Sequence, residues 1–335
     1  MFKYIVKRLL ISILVLLGVS IIIYTLVRLM PNDYVDNKFA SQLQSGTITQ
    51  ADIDHFKELY GLADKSFFGI IEGYFKWLGN LVKGDMGISF KYEKPVAQVI
   101  SENMWVSFAI ALIATLLQFL IAIPLGISSA THQYSIRDYA VTVFTMIGIS
   151  LPTYFFGAIV IKVFSVDLGL FPSNGLIDAS ATYPETFAGF MAKLADMAHH
   201  LVLPILVSVL LSIGGLMRYT RTNTLEVLSA DYIRTARAKG LNEKKVIYTH
   251  AFRNTMIPLV TLLAGILPSL FGGMMITEQV FGIPGIGNLA YQALRAGDVP
   301  FVMGYNMFLA ILSVIGTLFS DIMYSVVDPR VKLGK

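Results

Sequence analysis

The sequence predicts an all-α, polytopic membrane protein. It has six transmembrane helices, an extracytoplasmic subdomain between helices one and two, and a cytoplasmic helical element between helices four and five. Three observations carry that prediction. Of 335 residues, 55% are hydrophobic and 14% charged, with a mean hydropathy of +0.65, whereas a soluble chain carries about a quarter charged residues. Apolar runs of membrane length recur along the chain, and about twenty apolar residues span a bilayer as a helix. Basic residues gather at alternate connections, as cytoplasmic loops do. With no cysteine, disulfide frameworks and Cys-based metal or redox centres are excluded. The net charge of +4 sits beside apolar spans, so it reads as inner-face bias rather than a nucleic-acid footprint. No low-complexity tract or internal repeat stands out.

The elements follow in order. Leu9 to Val27 is uncharged and preceded by Lys3, Lys7 and Arg8, which places the N-terminus in the cytoplasm. The run is longer than a signal-peptide core and lacks a small-x-small cleavage site, so it is read as a retained helix. Residues 31–103 form the mixed-charge extracytoplasmic subdomain. Thr49 to Asp52 caps a short helix carrying Phe56, Leu59 and Tyr60, and Gly73 to Asn80 is an aromatic-rich helix suited to lipid headgroups. A flexible loop is the alternative, against which the aromatic content argues. A five-helix core runs over 104–330, with a cytoplasmic tail at 331–335.

Within that core, Trp105 to Ala130 is the second span, with Pro124 and Gly126 near its inner end. Tyr139 to Phe164 is the third, interrupted by Gly148, Ser150 and Pro152. Such a break marks either a translocation path or a packing kink. Gly148-Ile149-Ser150 raises an intramembrane protease, but no histidine at membrane depth would activate the serine. Asp167 to Met197 is an acidic external loop. His199 and His200 open the fourth span, Leu201 to Met217, and adjacent histidines lack ligand spacing, so no metal site is expected. The fifth span, Thr255 to Thr277, is rich in glycine and proline and so suits the inside of a bundle. Glu278 to Leu294 folds back at the outer mouth, with a short helix from Asn288. Phe301 to Val327 is the sixth span, and Arg330, Lys332 and Lys335 keep the C-terminus inside.

The most basic segment is Leu225 to Pro258. Leu225, Leu228, Tyr232 and Ala236 make an apolar stripe at helical spacing. Gly240 ends that helix, and Asn242 with Glu243 caps a second. The result is helix, glycine corner, helix, lying on the inner membrane surface.

Here the chain resembles a known family. Arg234-Thr235-Ala236, three residues and Gly240 resemble the EAA loop of the membrane subunits of bacterial ATP-binding-cassette importers of type I fold. ARAKGL from Ala236, HAFRN from His250, LYGL, GDMGISF, VFGIPGIG, GDVP and the DPR at Asp328 together resemble the oligopeptide/dipeptide permease branch. The general motif begins Glu-Ala-Ala and continues Ile-x-Leu-Pro; this chain has Arg-Thr-Ala and His250-Ala251-Phe252-Arg253 instead, a departure that fits the peptide branch.

The resemblance implies a coupling segment, residues 218–254, that docks on a separate ATPase through Asp231, Arg234, Ala236, Arg237, Lys239, Gly240 and Asn242. It implies a homologous second permease, two ABC ATPase subunits carrying ATP and Mg, an extracytoplasmic solute-binding lipoprotein or periplasmic protein, a peptide substrate and surrounding membrane lipid, with no nucleic acid. The chain itself has no G-x-x-x-x-G-K-[ST] phosphate loop and is expected to be no enzyme and to bind no cofactor. Ser150, Thr153, Thr277, Glu278 and Gln279 are the candidate substrate path, with Glu278 suited to a peptide amino terminus or to an interfacial carboxylate role. Three alternatives stand beside this reading: another cargo (a nickel complex, glutathione or an oligosaccharide), an ion-coupled secondary transporter, for which mid-span ionisable residues are too sparse, and a basic helix that only binds anionic lipid.

Overall fold

Lipid offers a backbone no hydrogen-bond partner, so long apolar runs must close their own bonds as helices. In the computed structural model, which describes residues 2–29, 34–59, 66–260 and 262–327, they do so. Helix α1 is Phe2–Arg28, followed by α2 (Tyr34–Gln44), α3 (Gln50–Leu59), α4 (Phe67–Val82) and α5 (Val96–Thr131). Next come α6 (Ile136–Ser150), α7 (Thr153–Val160, continued by π-helical turns to Asp167) and the long α8 (Phe187–Leu228). After α9 (Asp231–Ala238), α10 (Glu243–Lys245) runs through π-helical Val246–Ala251 into α11 (Phe252–Val260). The chain closes with α12 (Leu263–Phe271), α13 (Met275–Val280), α14 (Ile286–Ala296) and α15 (Val299–Val327). No extended strand is present among the described residues; Ile88 and Pro95 form an isolated bridge. The fold is all-α, as the composition predicts.

Among the described residues, α1, α5, α8 and α15 are long and apolar enough to cross a membrane, and α6 with α7 make a fifth crossing if that pair, bent by 104°, is one span. The bend falls at Leu151-Pro152, because proline lacks the N–H that a continuing helix requires and instead starts α7. The expected fifth span, Thr255 to Thr277, is divided between α11, α12 and α13. Pro258 and Pro268 lie inside α11 and α12, and the left-handed Gly273 (φ +73°) falls in the break between α12 and α13. Helices also overrun the expected limits. α5 begins at Val96, inside the 31–103 subdomain, and α8 absorbs the end of the external loop expected over Asp167 to Met197. The motif at Asp328, most of LYGL and the tail lie outside the described residues.

α5 and α8 run parallel. Ile110 packs with Leu201 and Leu203, the Gln118 amide donates to the Ser212 carbonyl at 3.0 Å, and Ser129 meets Arg221. Small residues permit backbone contact here. A Cβ on Gly126 would lie 2.8 Å from the Met217 oxygen, one on Gly148 2.7 Å from the Leu210 oxygen, and one on Gly214 2.6 Å from the Thr145 oxygen. The bundle therefore has two ends. One carries α9 and α10. The other carries α2 to α4, α14 and the start of α15, which share a core of Tyr24, Val35, Ile53, Tyr74, Ile286 and Phe301. Thr49 and Asp52 form a reciprocal cap on α3, with the Asp52 carboxylate accepting from the Thr49 N–H and hydroxyl at 2.8 Å. Large apolar side chains on α1 and α6, including Leu10, Leu14, Leu26, Phe144 and Ile147, face outward, the arrangement that lipid as solvent allows.

Candidate coupling element and translocation groove

Helix α8 stops at Leu228, and after Ser229-Ala230 the chain restarts as α9. The buried side of α9 is Ile233 (0% exposed) and Ala236, packed on Val246, Ala251, Val227, Leu228 and Leu241. Tyr232, which the sequence stripe placed inward, is exposed. The restart rotates the helical phase by breaking the stripe between Leu228 and Ala230. Ala236 consequently belongs to this chain's own small core and supports the outer face from beneath, whereas the sequence placed it in a partner contact. Gly240 takes φ +75°, the left-handed conformation in which only glycine escapes Cβ strain. The Asn242 carboxamide oxygen then accepts from the Lys244 N–H at 2.9 Å, capping α10.

The outward face is charged. Asp231 and Arg234 are far exposed and 3.7 Å apart, Lys239 is exposed, and Arg237 forks onto Glu243 at 2.6 and 3.2 Å. That Arg237 guanidinium holds the Glu243 carboxyl below the ordinary carboxylate range, and Glu243 raises Arg237 in return. The pair ties α9 to α10 across the glycine corner. The arrangement is a rigid, cationic platform standing off the end of the bundle.

The five residues expected along the substrate path separate. Thr153 and Thr277 meet in a pocket of about 310 Å³ with Thr115, Gln118, Ser208 and Ser212. A second pocket of about 370 Å³ shares Thr115 and Gln118 and continues past Gly215 and Tyr219 to Ser269. Together they trace a groove along α5 and α8 whose largely apolar walls, Phe119, Leu211, Leu216 and Met274 among them, carry hydroxyl and amide groups, with no charged residue among the described lining. Ser150 is exposed, with its hydroxyl bonded back to the Met146 carbonyl at 2.8 Å. Gln279 faces a separate pocket at the other side of α13.

Glu278 is not available to substrate. It is 1% exposed, and its oxygens accept from the Ser107 hydroxyl (2.6 Å), the Met274 N–H (2.9 Å) and the Asn288 N–H (2.8 Å). Gly273, Gly285 and Gly287 close over it; a Cβ on any of them would lie within 3.0 Å of the carboxyl. The expectation of an outer-mouth charge fails because three glycines let backbone wrap the carboxyl completely.

With this geometry in hand, the family follows from comparison. Residues 122–333 match the family of binding-protein-dependent transport system inner membrane components. The chain belongs to that family. The oligopeptide transport system permease protein AppB of Bacillus subtilis is 38% identical over 99% of this chain and 100% of its own length. The dipeptide transport system permease protein DppB of Alkalihalophilus pseudofirmus is 30% identical over 99% and 100%. A chain of the MetNI methionine ABC transporter, in inward-facing form, superposes with a TM-score of 0.49 at 18% identity, covering 69% of this chain and 97% of that one.

This inner membrane component holds its helices together near the platform through a cluster that the sequence reading did not pick out. The Arg221 guanidinium on α8 donates to both Asp138 oxygens on α6 (2.9 and 2.8 Å) and to the Ser129 hydroxyl on α5 (3.0 Å). Ser129 also donates to Asp138, as does the Tyr134 N–H at 3.0 Å. The Asp138 side chain is 4% exposed and that of Arg221 25%. Thr115, Gln118, Ser208 and Ser212 were missed likewise. Their signal is polar side chains at i, i+3 and i, i+4 within otherwise apolar spans. The adjacent histidines turn apart, as their spacing predicts: His199 meets the Leu170 carbonyl at 3.0 Å, and His200 meets Asp196.

Proposed function

We propose that this chain is the permease subunit of an ATP-driven importer for oligopeptides or dipeptides, forming half of the translocation path. The observation that carries the transport reading is the α9–α10 platform: cationic side chains presented on a small dedicated core, at the end of an unbroken helix that also lines the polar groove. Such a platform fits a cleft of complementary charge, and rigid-body motion of a docked subunit is passed on through α8. The peptide cargo is supported by relatives that align along their full length, an oligopeptide and a dipeptide transport system permease protein. A groove with hydroxyls and amides but no fixed charge suits peptides whose side chains vary.

In this reading Asp231, Arg234, Arg237, Lys239, Gly240 and Asn242 dock on one of two ABC ATPase subunits, which hold ATP and Mg. A homologous second permease completes the path, and a solute-binding lipoprotein or periplasmic protein delivers peptide from outside. Both termini and the platform face the cytoplasm, and the α2–α4 end faces out.

The test is Gly240→Asp and Arg237→Glu in the complete transporter reconstituted in liposomes. A Cβ at Gly240 meets open space, and aspartate tolerates the left-handed region at a cost of about 1 kcal/mol, so folding survives. Uptake of a labelled tripeptide falls at least tenfold while the protein remains inserted and nucleotide is still hydrolysed. Unchanged uptake refutes the docking assignment.

A further inference from the structure

At the α2–α4 end, between α2 and α14, lies a pocket of about 770 Å³. Its described lining includes Lys38, Lys91 and Arg295 with the rings of Tyr34 and Tyr291, and no carboxylate. Lys91 is held in place by a relay. Lys91 Nζ donates to the Gln292 oxygen at 2.9 Å, Gln292 donates to Asn288, and Asn288 donates to the Ile283 carbonyl at 2.9 Å. That relay uses one of the three ammonium N–H groups. Arg295 lies over the Tyr291 ring at 5.9 Å and has no carboxylate partner among the described residues. Asp298 lies below and offsets part of the charge; it is fully buried and accepts from the Ser89 hydroxyl (2.5 Å), the Lys91 N–H (3.0 Å) and the Phe301 N–H (3.2 Å). Burial pulls the Lys91 ammonium below its ordinary value; Asp298 opposes this, and Arg295 adds to it. Two cations that line one pocket, with donors to spare and no carboxylate in the described lining, favour an anion there.

Gly282 borders this pocket and also a second one of about 710 Å³, which carries Asp178 and Asp196. The surface thus changes sign across one residue. A ligand with a negative end is drawn to the basic side and repelled from the other.

We propose that the Lys91–Arg295 pocket is a carboxylate site that receives the C-terminal carboxylate of an incoming peptide before it enters the groove. The proposal rests on the peptide reading above and adds to it a position and a polarity. Lys91 and Arg295 supply charge-assisted donors, Tyr34 and Tyr291 flank the terminal residue, and the acidic neighbour sets the opposite end of the peptide away from the basic pocket.

The experiment uses the complete transporter in nanodiscs without its soluble receptor, and two probes that differ only at the C-terminus: N-acetyl-tetraalanine, which keeps the carboxylate, and N-acetyl-tetraalanine amide, which lacks it. Titration calorimetry is expected to show the carboxylate probe binding at least tenfold more tightly. Arg295→Gln and Lys91→Gln abolish the preference, and Arg295→Lys and Lys91→Arg retain most of it, which separates charge from folding. Equal binding of the two probes, binding of neither, or an unchanged preference in both glutamine variants overturns the site. Uptake by the wild-type transporter is measured alongside. A protein that takes up no peptide yet keeps the preference refutes the peptide reading and leaves the carboxylate site standing; the reverse result does the opposite.

Discussion

Removing the Arg221 guanidinium is the sharpest test of how the three helices nearest the platform are joined. In Arg221→Gln the Asp138 carboxylate loses its two charge-assisted bonds and keeps only the Ser129 hydroxyl and the Tyr134 N–H. Breaking a buried pair from one side costs about 3–5 kcal/mol. Arg221 is partly exposed, so the lower end applies, about 3 kcal/mol, or on the order of 100-fold in a local opening equilibrium. The segment that should report it is 132–138. There Tyr134 holds a left-handed φ of +63°, uncommon for a residue with a side chain and anchored by its N–H on Asp138. Hydrogen exchange of that segment in the intact transporter should accelerate by about that factor in Arg221→Gln. Arg221→Lys should fall between, keeping the charge but not the fork. Asp138→Asn with Arg221→Gln should recover part of the loss, because no charge is then left unpaired. Exchange within threefold of wild type in Arg221→Gln, or a double variant no better than the sum of its singles, refutes the reasoning.

Two further outcomes follow from the same geometry. Glu278→Ala strands the Ser107 hydroxyl and the Met274 and Asn288 N–H groups in a buried site; at about 1–3 kcal/mol for each unsatisfied group, the 274–288 segment should lose protection by at least 100-fold, and wild-type exchange there would refute the carboxyl's structural role. Glu243 has a lowered pKa in the folded chain, so its bond to Arg237 contributes fully above the unfolded carboxylate pKa of about 4.3 and is lost as pH falls through the lowered folded value. Exchange at α9 and α10 should therefore be flat from pH 8 to 6 after correction for intrinsic rates, and Glu243→Gln should remove any acid-side loss that wild type shows.

What could be read from the chain alone was whatever depends on neighbours in sequence. The breaks at Pro152 and Gly240, the caps at Thr49 and Asn242, and four of the long spans come from local chemistry: a missing N–H, a positive φ, a short oxygen-bearing side chain and a run of apolar residues. Helix limits were read too short, because α5 and α8 continue beyond their most apolar stretches. Glu278 was misread because its burial depends on Ser107, 171 positions away, and on backbone that only glycine allows so close. The clamp stayed hidden because Ser129, Asp138 and Arg221 each look like ordinary polar residues at a helix end. The inward side of α9 was assigned to Tyr232 instead of Ile233 because one continuous helix was assumed through Ser229 and Ala230.

α8 is 42 residues long, about 63 Å at 1.5 Å per residue, whereas the hydrocarbon layer is about 30 Å thick. It is thus a beam, with Pro204 inside it, about twice as long as that layer is thick, and so has length to overhang. One overhang ends where the platform begins; the other carries Asp196, His199 and His200 on the rim of the acidic pocket. A tilt of roughly 10° about its centre would move each tip by about 5 Å. Its backbone is seated against Gly126 of α5 and Gly148 of α6, so such a tilt would carry those helices with it. In the proposed importer, a push at one end of α8 would therefore reach its other end without a relay of side chains between them.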